Sequence, residues 1–324
     1  MIRRFIAAAA LCAIATGPAH ATDPMKITVT GLVSGFADYF IATDKGYFAE
    51  EGIVPEIVQA GGSTATPALL SGDVQYSTSA SIAITAILRG GELKIVYVNN
   101  DHVPYQLWTT QPAIQTLADL KGKQVGVETR GDTHELAMRA AFLNVGVDPA
   151  TVIYTPLSNR SAIVASVMTG SLAAASMVID EFERIKAAPN ARLLFDLQKI
   201  ELIAGGGVFS DKLLKENRPL AERFMRAVVK GRRAGRDNVE EIVNSVRKRN
   251  PAQSAEDIRT AVNLQRPLNT IDGTISLETE KLEIANRSDL LNIAPDKRRK
   301  PEQAFDFTLL KEANADLDRK GWKP

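Results

Sequence analysis

Four places in the chain set small polar residues where a strand would give way to a helix: Gly61-Gly62-Ser63-Thr64, Ser79-Ala80-Ser81, Gly131-Asp132-Thr133 and Ser158-Asn159-Arg160-Ser161. In open parallel sheets, helix N-termini offer unpaired N–H groups and a positive dipole end beyond the carboxyl ends of the strands. The chemistry they suit is capture of an anionic group. Taken singly, each junction is more simply an N-cap, because Ser, Thr, Asp and Asn are the ordinary capping residues. Convergence of the four across a cleft is what would make a site. Gly61-Gly62 allows close backbone approach to a bound group, yet neither GxGxxG nor GxxxxGK[ST] occurs, so a nucleotide cofactor has no support.

Bond-making chemistry finds few residues. Beyond His20 near the N-terminus the histidines are His102 and His134, no HExxH occurs, and Cys12 is the only cysteine. Neither a metal centre nor a cysteine nucleophile is expected, and no catalytic residue or cofactor is assigned. His134 falls in the first turn of a predicted helix and is a candidate ligand contact. Asp180 follows the strand ending at Val178, where a carboxylate can meet an amine or hydroxyl, and Asn159 belongs to the fourth junction. Phe36 and Tyr39 follow the Ser34-Gly35 turn, and Tyr105 and Trp108 lie on a predicted crossing strand. These aromatics can pack on an organic ligand, although core filling is the better reading for Trp108, Met138 and Met168.

The elements that would hold these residues alternate. Ile27 to Leu32, Val54 to Ala60 and Val74 to Ser79 read as strands, with helices over Phe36 to Phe48 and Thr66 to Leu70 between them. Ile82 to Leu88 reads as a buried helix, and Lys94 to Asn99 and Tyr105 to Thr110 as strands. A second series opens at Leu117, with strands at Lys123 to Glu128, Val152 to Thr155 and Ala173 to Val178 and helices at Thr133 to Leu143 and Ala162 to Met168. Asp132 can cap the helix it precedes while Glu135 reaches back to it, a capping box. Arg192 to Leu197 and Leu202 to Phe209 are read as completing this second lobe and returning the chain to the first. Such alternation builds parallel sheets covered by helices on both faces.

Past Asp211 the pattern is helical: Leu220, Phe224 and Val228 share a face, Val239 to Val246 and Ile258 to Leu264 are amphipathic, and Ala304 to Leu317 closes the chain. This tail is expected to wrap the first lobe and make it discontinuous. The predicted division is residues 22–108 with 210–324 for lobe I and 109–209 for lobe II. Some three hundred residues exceed one hydrophobic core, which agrees with two lobes.

Residues 1–21 read as a signal peptide. Arg3 and Arg4 precede an apolar run too short to span a bilayer, and Ala19-His20-Ala21 offers a cleavage site after Ala21. An exported, periplasmic protein without disulfides is expected. Leu11 before Cys12 argues against a lipid anchor. Removing Arg3 and Arg4 from 39 basic residues leaves them one fewer than the 38 acidic ones, so nothing global attracts nucleic acid or an anionic membrane. The basic run Lys297 to Lys300 reads as a solvated turn.

Lys45-Gly46-Tyr47-Phe48-Ala49-Glu50-Glu51-Gly52-Ile53, Gly61-Gly62-Ser63, Leu69-Leu70-Ser71-Gly72-Asp73-Val74-Gln75 and the stretch from Leu117 to Val127, LADLKGKQVGV, carry a resemblance in their order and spacing. The chain resembles the solute-binding components of ABC importers for sulfonates, taurine, nitrate and thiamine-pyrimidine precursors, the NMT1/THI5-like family. The resemblance implies an α/β, two-lobed periplasmic-binding-protein fold of type II, each lobe an open, mainly parallel sheet flanked by helices, with two crossings between lobes. It also implies ligand positions at Ser34, Gly35 and Phe36, at Gly62, Ser63 and Thr64, from Ser79 through Ala80 to Ser81, at Gly131, Asp132 and Thr133, and at Asp180. Sulfonate binders often carry tryptophan just before the Asp180 position, where this chain has Ile179, and the cysteine-rich tract of the related pyrimidine-synthesising enzymes is absent.

The expectation is a monomeric periplasmic receptor that closes on a small organic, anionic molecule and delivers it to a membrane permease, with no bond chemistry. Two alternatives stand beside it: an enzyme of the same fold using His134 and Asp180, and a ligand-presenting partner of a sensor.

Overall fold

The computed structural model describes residues 22–157 and 159–324, so the predicted signal peptide and Ser158 lie outside the described residues. Ten strands are present among them: β1 (Asp23–Val29), β2 (Ile53–Gln59), β3 (Tyr76–Ser77), β4 (Leu93–His102), β5 (Tyr105–Thr109), β6 (Gln124–Val127), β7 (Ile153–Pro156), β8 (Ala174–Val178), β9 (Arg192–Phe195) and β10 (Glu201–Ser210). They form two five-stranded sheets, ordered β2-β1-β3-β10-β4 and β7-β6-β8-β5-β9. Pairing is parallel along β2-β1-β3 and β7-β6-β8. The fourth strand of each sheet runs antiparallel to both its neighbours, β10 in the first and β5 in the second. Helices flank both sheets, and the whole is a two-lobed periplasmic-binding-protein fold.

Those fourth strands are the segments read as carrying the chain across and back, and the difference lies only in where the boundaries fall. Tyr105 to Thr109, the crossing strand that the division at residue 108 cuts, pairs with β8 and β9 of the second sheet. Leu202 to Phe209, placed in residues 109–209 yet read with Arg192 to Leu197 as returning the chain to the first lobe, pairs with β3 and β4 of the first. Apolar patterning identifies such segments as strands but says nothing about which distant strand they meet. Two smaller differences are local. The helix read over Phe36 to Phe48 breaks at Gly46, whose φ of 77° is left-handed, into Ala37–Asp44 and Tyr47–Glu50. Met168, read as core, is 40% exposed.

The tail carries the first lobe's largest helix, Arg218–Asp237, whose buried stripe includes Leu220, Phe224 and Val228. Phe224 lies 5.2 Å from Phe48 and 4.5 Å from Tyr76, ring to ring, joining the tail to the core of the first sheet. The tail also closes the sheet's edge. Val98 N donates to Gly273 O at 2.8 Å, and Ile95 bridges Phe305, so β4 does not end in open edge hydrogen bonds.

The longest helix that escaped the periodicity reading is Leu277–Leu290, capped by Ser276, whose Oγ accepts from Thr279 N at 3.1 Å. Its buried residues are Glu283, Ile284, Arg287 and Ser288, a polar face that no apolar-period search would select. The tail reaches the second lobe as well, where Ala261 and Leu268 join the buried cluster of Trp108, Ile179 and Phe182.

Candidate functional site

A cavity of about 210 Å³ opens between the two sheets. Three helices start on it, at Gly62, Ala80 and Thr133. Close backbone approach at the first is enforced: a Cβ on Gly62 would lie 2.6 Å from Ile82 Cγ1, so no side chain fits there. At the second, Ser79 sits at the N-cap yet its hydroxyl makes no capping bond. Thr78 and Ser79 are 3% and 4% exposed, both line the cavity, and neither side-chain oxygen has a hydrogen-bond partner among the described residues. Buried hydroxyls without partners are costly and uncommon in native structures.

The second lobe presents a different chemistry. Asp132 is consumed as a cap, its Oδ1 accepting from Glu135 N at 2.8 Å and its Oδ2 from Thr129 N at 2.7 Å. The reciprocal bond falls one residue earlier than the capping box required: Glu135 Oε2 accepts from Gly131 N at 2.9 Å. His134 stacks on Tyr105 at 3.9 Å between ring centres and bonds Ser176 Oγ through Nδ1 at 2.9 Å. Burial, aided by the Arg160 charge, pushes its pKa well below the usual histidine value, so the ring is neutral near pH 7. Glu128 also lines the cavity, 3.8 Å from His134 Nε2. Its carboxyl is pushed up by burial, with Arg160 opposing.

Behind the cleft, Arg287 ties the lobes together. Its NH1 donates to Ser81 O at 2.7 Å and its NH2 to Thr133 Oγ1 at 3.3 Å, and its Nε donates to Glu283 Oε1. Glu283 Oε2 in turn accepts from Ile203 N of β10 at 3.2 Å. Both charged side chains are about 1% exposed, so the pair stands or falls as a hydrogen-bonded unit.

Of the residues singled out from the sequence, Phe36, Gly62, Ser63, Ser79 and Ser81 meet Tyr105, Asp132, Thr133 and His134 at this cavity. The others lie elsewhere. Ser34 and Gly35 line a second cavity, of about 240 Å³, beside Asp38, Arg232 and Thr270. Tyr39 is fully buried, its hydroxyl 3.0 Å from that of Tyr76. Thr64 is exposed on the first turn of its helix, and Ala80 is buried at the start of its own. Gly131 supplies the left-handed turn before Asp132, with φ 78°. Asn159 caps its helix through Ala162 N at 3.2 Å. The Asp180 side chain lies outside the described residues; its backbone is in the turn Ile179–Glu181. Sequence reasoning passed over Thr78, Glu128 and Arg287. Thr78 and Glu128 stand at strand ends already identified, which is the signal that could have found them.

The 240 Å³ cavity is the weaker candidate because its most buried polar groups are already satisfied. Arg232 bonds Tyr97 Oη and Thr270 O, and Tyr97 Oη donates to Asp38. Among the described residues no group of His, Cys, Asp and Glu is arranged to hold a metal, and no helix is long and apolar enough to cross a membrane.

Comparison with known proteins decides the family. The family model described as NMT1/THI5 like matches residues 34–241. The chain belongs to the NMT1/THI5-like family. Solved structures similar to this NMT1/THI5-like chain include the periplasmic aliphatic sulphonate-binding protein SsuA of Escherichia coli, at 17% identity and TM-score 0.71, covering 87% of this chain and 91% of that one. The periplasmic nitrate-binding protein NrtA of Synechocystis PCC 6803 aligns at 14% identity and TM-score 0.72, covering 92% and 89%. A curated relative, the riboflavin-binding protein RibY of Chloroflexus aurantiacus, is 24% identical over 207 residues, which is 60% of this chain and 57% of its own length. The chain thus spans little more than half of that relative. The two solved structures are binding proteins, and the same fold is shared by DSZB, solved as a cysteine-to-serine mutant with biphenyl-2-sulfinic acid, at 15% identity and TM-score 0.61.

Proposed function

We propose that this protein is a periplasmic solute-binding protein that closes its lobes on a small organic molecule bearing an anionic group and hands it, unchanged, to an ABC permease. One observation carries the reading: the hydroxyls of Thr78 and Ser79 are buried without partners on the wall of an interlobe cavity where three helices begin. A ligand oxygen would satisfy them, and the helix N-termini favour negative charge there. The cavity's 210 Å³ suits a small metabolite, since pockets for drug-sized ligands run from roughly 300 to 1,000 Å³. That size matches a sulfonate or carboxylate better than the flavin named for the distant relative.

Export in the proposal rests on the signal-peptide pattern of residues 1–21, with cleavage after Ala21. The permease contact is transient and the receptor a monomer. An enzyme reading draws no help from His134, which is neutral, stacked and already bonded to Ser176.

The test is thermal-shift screening followed by calorimetry against sulfonates, carboxylates, nitrate and aminopyrimidines, with small-angle scattering on any hit. A hit should raise the melting temperature, shrink the radius of gyration and be recovered chemically intact. Indifference across the whole panel, or a product in place of the ligand, overturns the proposal.

A further inference from the structure

The two walls of the interlobe cavity differ in what they lack. On the first-lobe wall, the unmet groups are hydroxyls and helix N-termini, which fit an acceptor on the ligand. On the second-lobe wall, the Glu128 carboxylate takes part in no hydrogen bond among the described residues, and its side chain, 43% exposed, is open to the cleft. Arg160, whose charge acts on Glu128, donates through Nε and NH2 to Glu181 and through NH2 to Ser176 O at 3.0 Å, while its buried NH1 has no partner among the described residues. Asp132 holds backbone N–H groups. His134, at 3.8 Å, carries no charge to pair with Glu128.

We infer that Glu128 is a specificity-determining residue that accepts from an N–H donor of the ligand, so that the ligand is an amine-bearing small acid lying across the cleft, acid end toward Thr78 and Ser79, nitrogen toward Glu128. Gly62, Thr78 and Ser79 alone would take any small anion. A carboxylate on the opposite wall repels a second acceptor and leaves the acceptor-only ligand with an unpaired charge facing it, which is how a polar site rejects an analogue lacking the matching group. The assignment rests on the interlobe cavity being the ligand site, as proposed above.

The experiment uses the full mature chain and matched probes: 3-aminopropanoate against propanoate, 4-aminobutanoate against butanoate, and 2-aminoethanesulfonate against ethanesulfonate. Calorimetry on the wild type and on Glu128→Gln reads each pair. The wild type should prefer the amine-bearing member of at least one pair. Glu128→Gln, which keeps the side-chain shape, should weaken that member about tenfold to a hundredfold, as for a lost hydrogen bond to a charged group, and its partner by less than about twofold. The variant's melting temperature without ligand should be unchanged or raised, since the side chain is 43% exposed and makes no hydrogen bond among the described residues, which separates lost recognition from lost folding.

Deaminated acids that bind as tightly as their partners overturn the assignment and leave the transport reading standing. So does a hit from the wider panel that has no N–H donor, or an amine preference that survives in Glu128→Gln. A chain that takes no member of any series overturns both readings.

Discussion

The two sheets share one wiring and differ in what is added to it. Each sets its single antiparallel strand fourth, and each takes that strand from a segment that has just crossed over, β5 arriving in the second lobe and β10 returning to the first. The second lobe stops there. The first is extended by a helical tail that fills its core with Phe224, closes its β4 edge through Gly273 and Phe305, and touches the other lobe through Ala261, Leu268 and Arg287. Identical topology therefore does not make the lobes equivalent. The first lobe carries the tail, and the tail packs against both lobes.

Removing Arg287 should break that arrangement most severely. Arg287→Ala leaves Glu283 buried without its cation and frees Ser81 O and Thr133 Oγ1. Urea unfolding should show a loss of about 3–5 kcal/mol, with a transition that broadens as the lobes uncouple. The pair Glu283→Leu with Arg287→Met should regain much of that stability while small-angle scattering still reports a more open ligand-free form. Recovery of closure along with stability would show that the guanidinium fills space rather than joining the jaws.

The crossing strands offer a second contrast, between positions in one strand. β10 contains Gly205-Gly206-Gly207, and irregular register accompanies them. A Cβ on Gly207 would fall 1.5 Å from Tyr76 Oη, in the packed core, whereas on Gly205 it would meet only Asn99 Cβ at 3.9 Å. Gly207→Ala should cost about 1–3 kcal/mol or more by overpacking, and Gly205→Ala should stay within about 0.5 kcal/mol. Equal effects would mean that β10 moves freely over the core, contrary to its place between β3 and β4.

How far this was legible depends on which physical signal each element leaves. The alternation of β1, β2, β6, β7 and β8 with helices showed in local periodicity, and the junctions at Gly62, Ser79 and Asp132 showed in capping chemistry. The order of segments marks β5 as a crossing and β10 as the return, but not which strands they pair with, because those partners lie far away in sequence. Helix Leu277–Leu290 left no apolar period, since its buried face is Glu283, Arg287 and Ser288 around a single Ile284. Ser34 and Gly35 were singled out with Phe36 as one turn. In the 3-10 turn Ser34–Phe36 successive side chains diverge by about 120°, so Phe36 meets the interlobe cavity and the other two meet the second one.

Ser79 and Thr78 sharpen the comparison at lower cost. Ser79→Ala removes a hydroxyl that neither caps its helix nor finds a partner, so stability should change by no more than about 0.5 kcal/mol. Affinity for a bound acid should fall about tenfold, as should that of Thr78→Val, measured by calorimetry on whichever ligand the screen identifies. A stability loss near 1 kcal/mol with unchanged affinity would assign Ser79 to helix capping instead.

The smallest effect expected separates the jaws by pH. His134 belongs to the second lobe and is held below its usual pKa by burial and by Arg160, so the folded imidazole stays neutral where the unfolded one takes a proton. Its contribution is fully present above about pH 6.5 and is lost as pH falls from there toward the depressed folded value, with a slope of at most about 1.4 kcal/mol per pH unit. Glu128 acts in the opposite sense, since a carboxyl raised by burial protonates in the folded state first and gains stability on acidification. Urea unfolding of the wild type alone would therefore mix two signs. The difference between wild type and His134→Asn isolates one of them: the constant loss of the Tyr105 stack and the Ser176 bond cancels from the pH slope, and the variant should gain relative stability as pH drops from 6.5 to 5.5. A flat difference over that interval would mean that the imidazole can charge inside the fold, and with it that Glu128 already has a cation beside it.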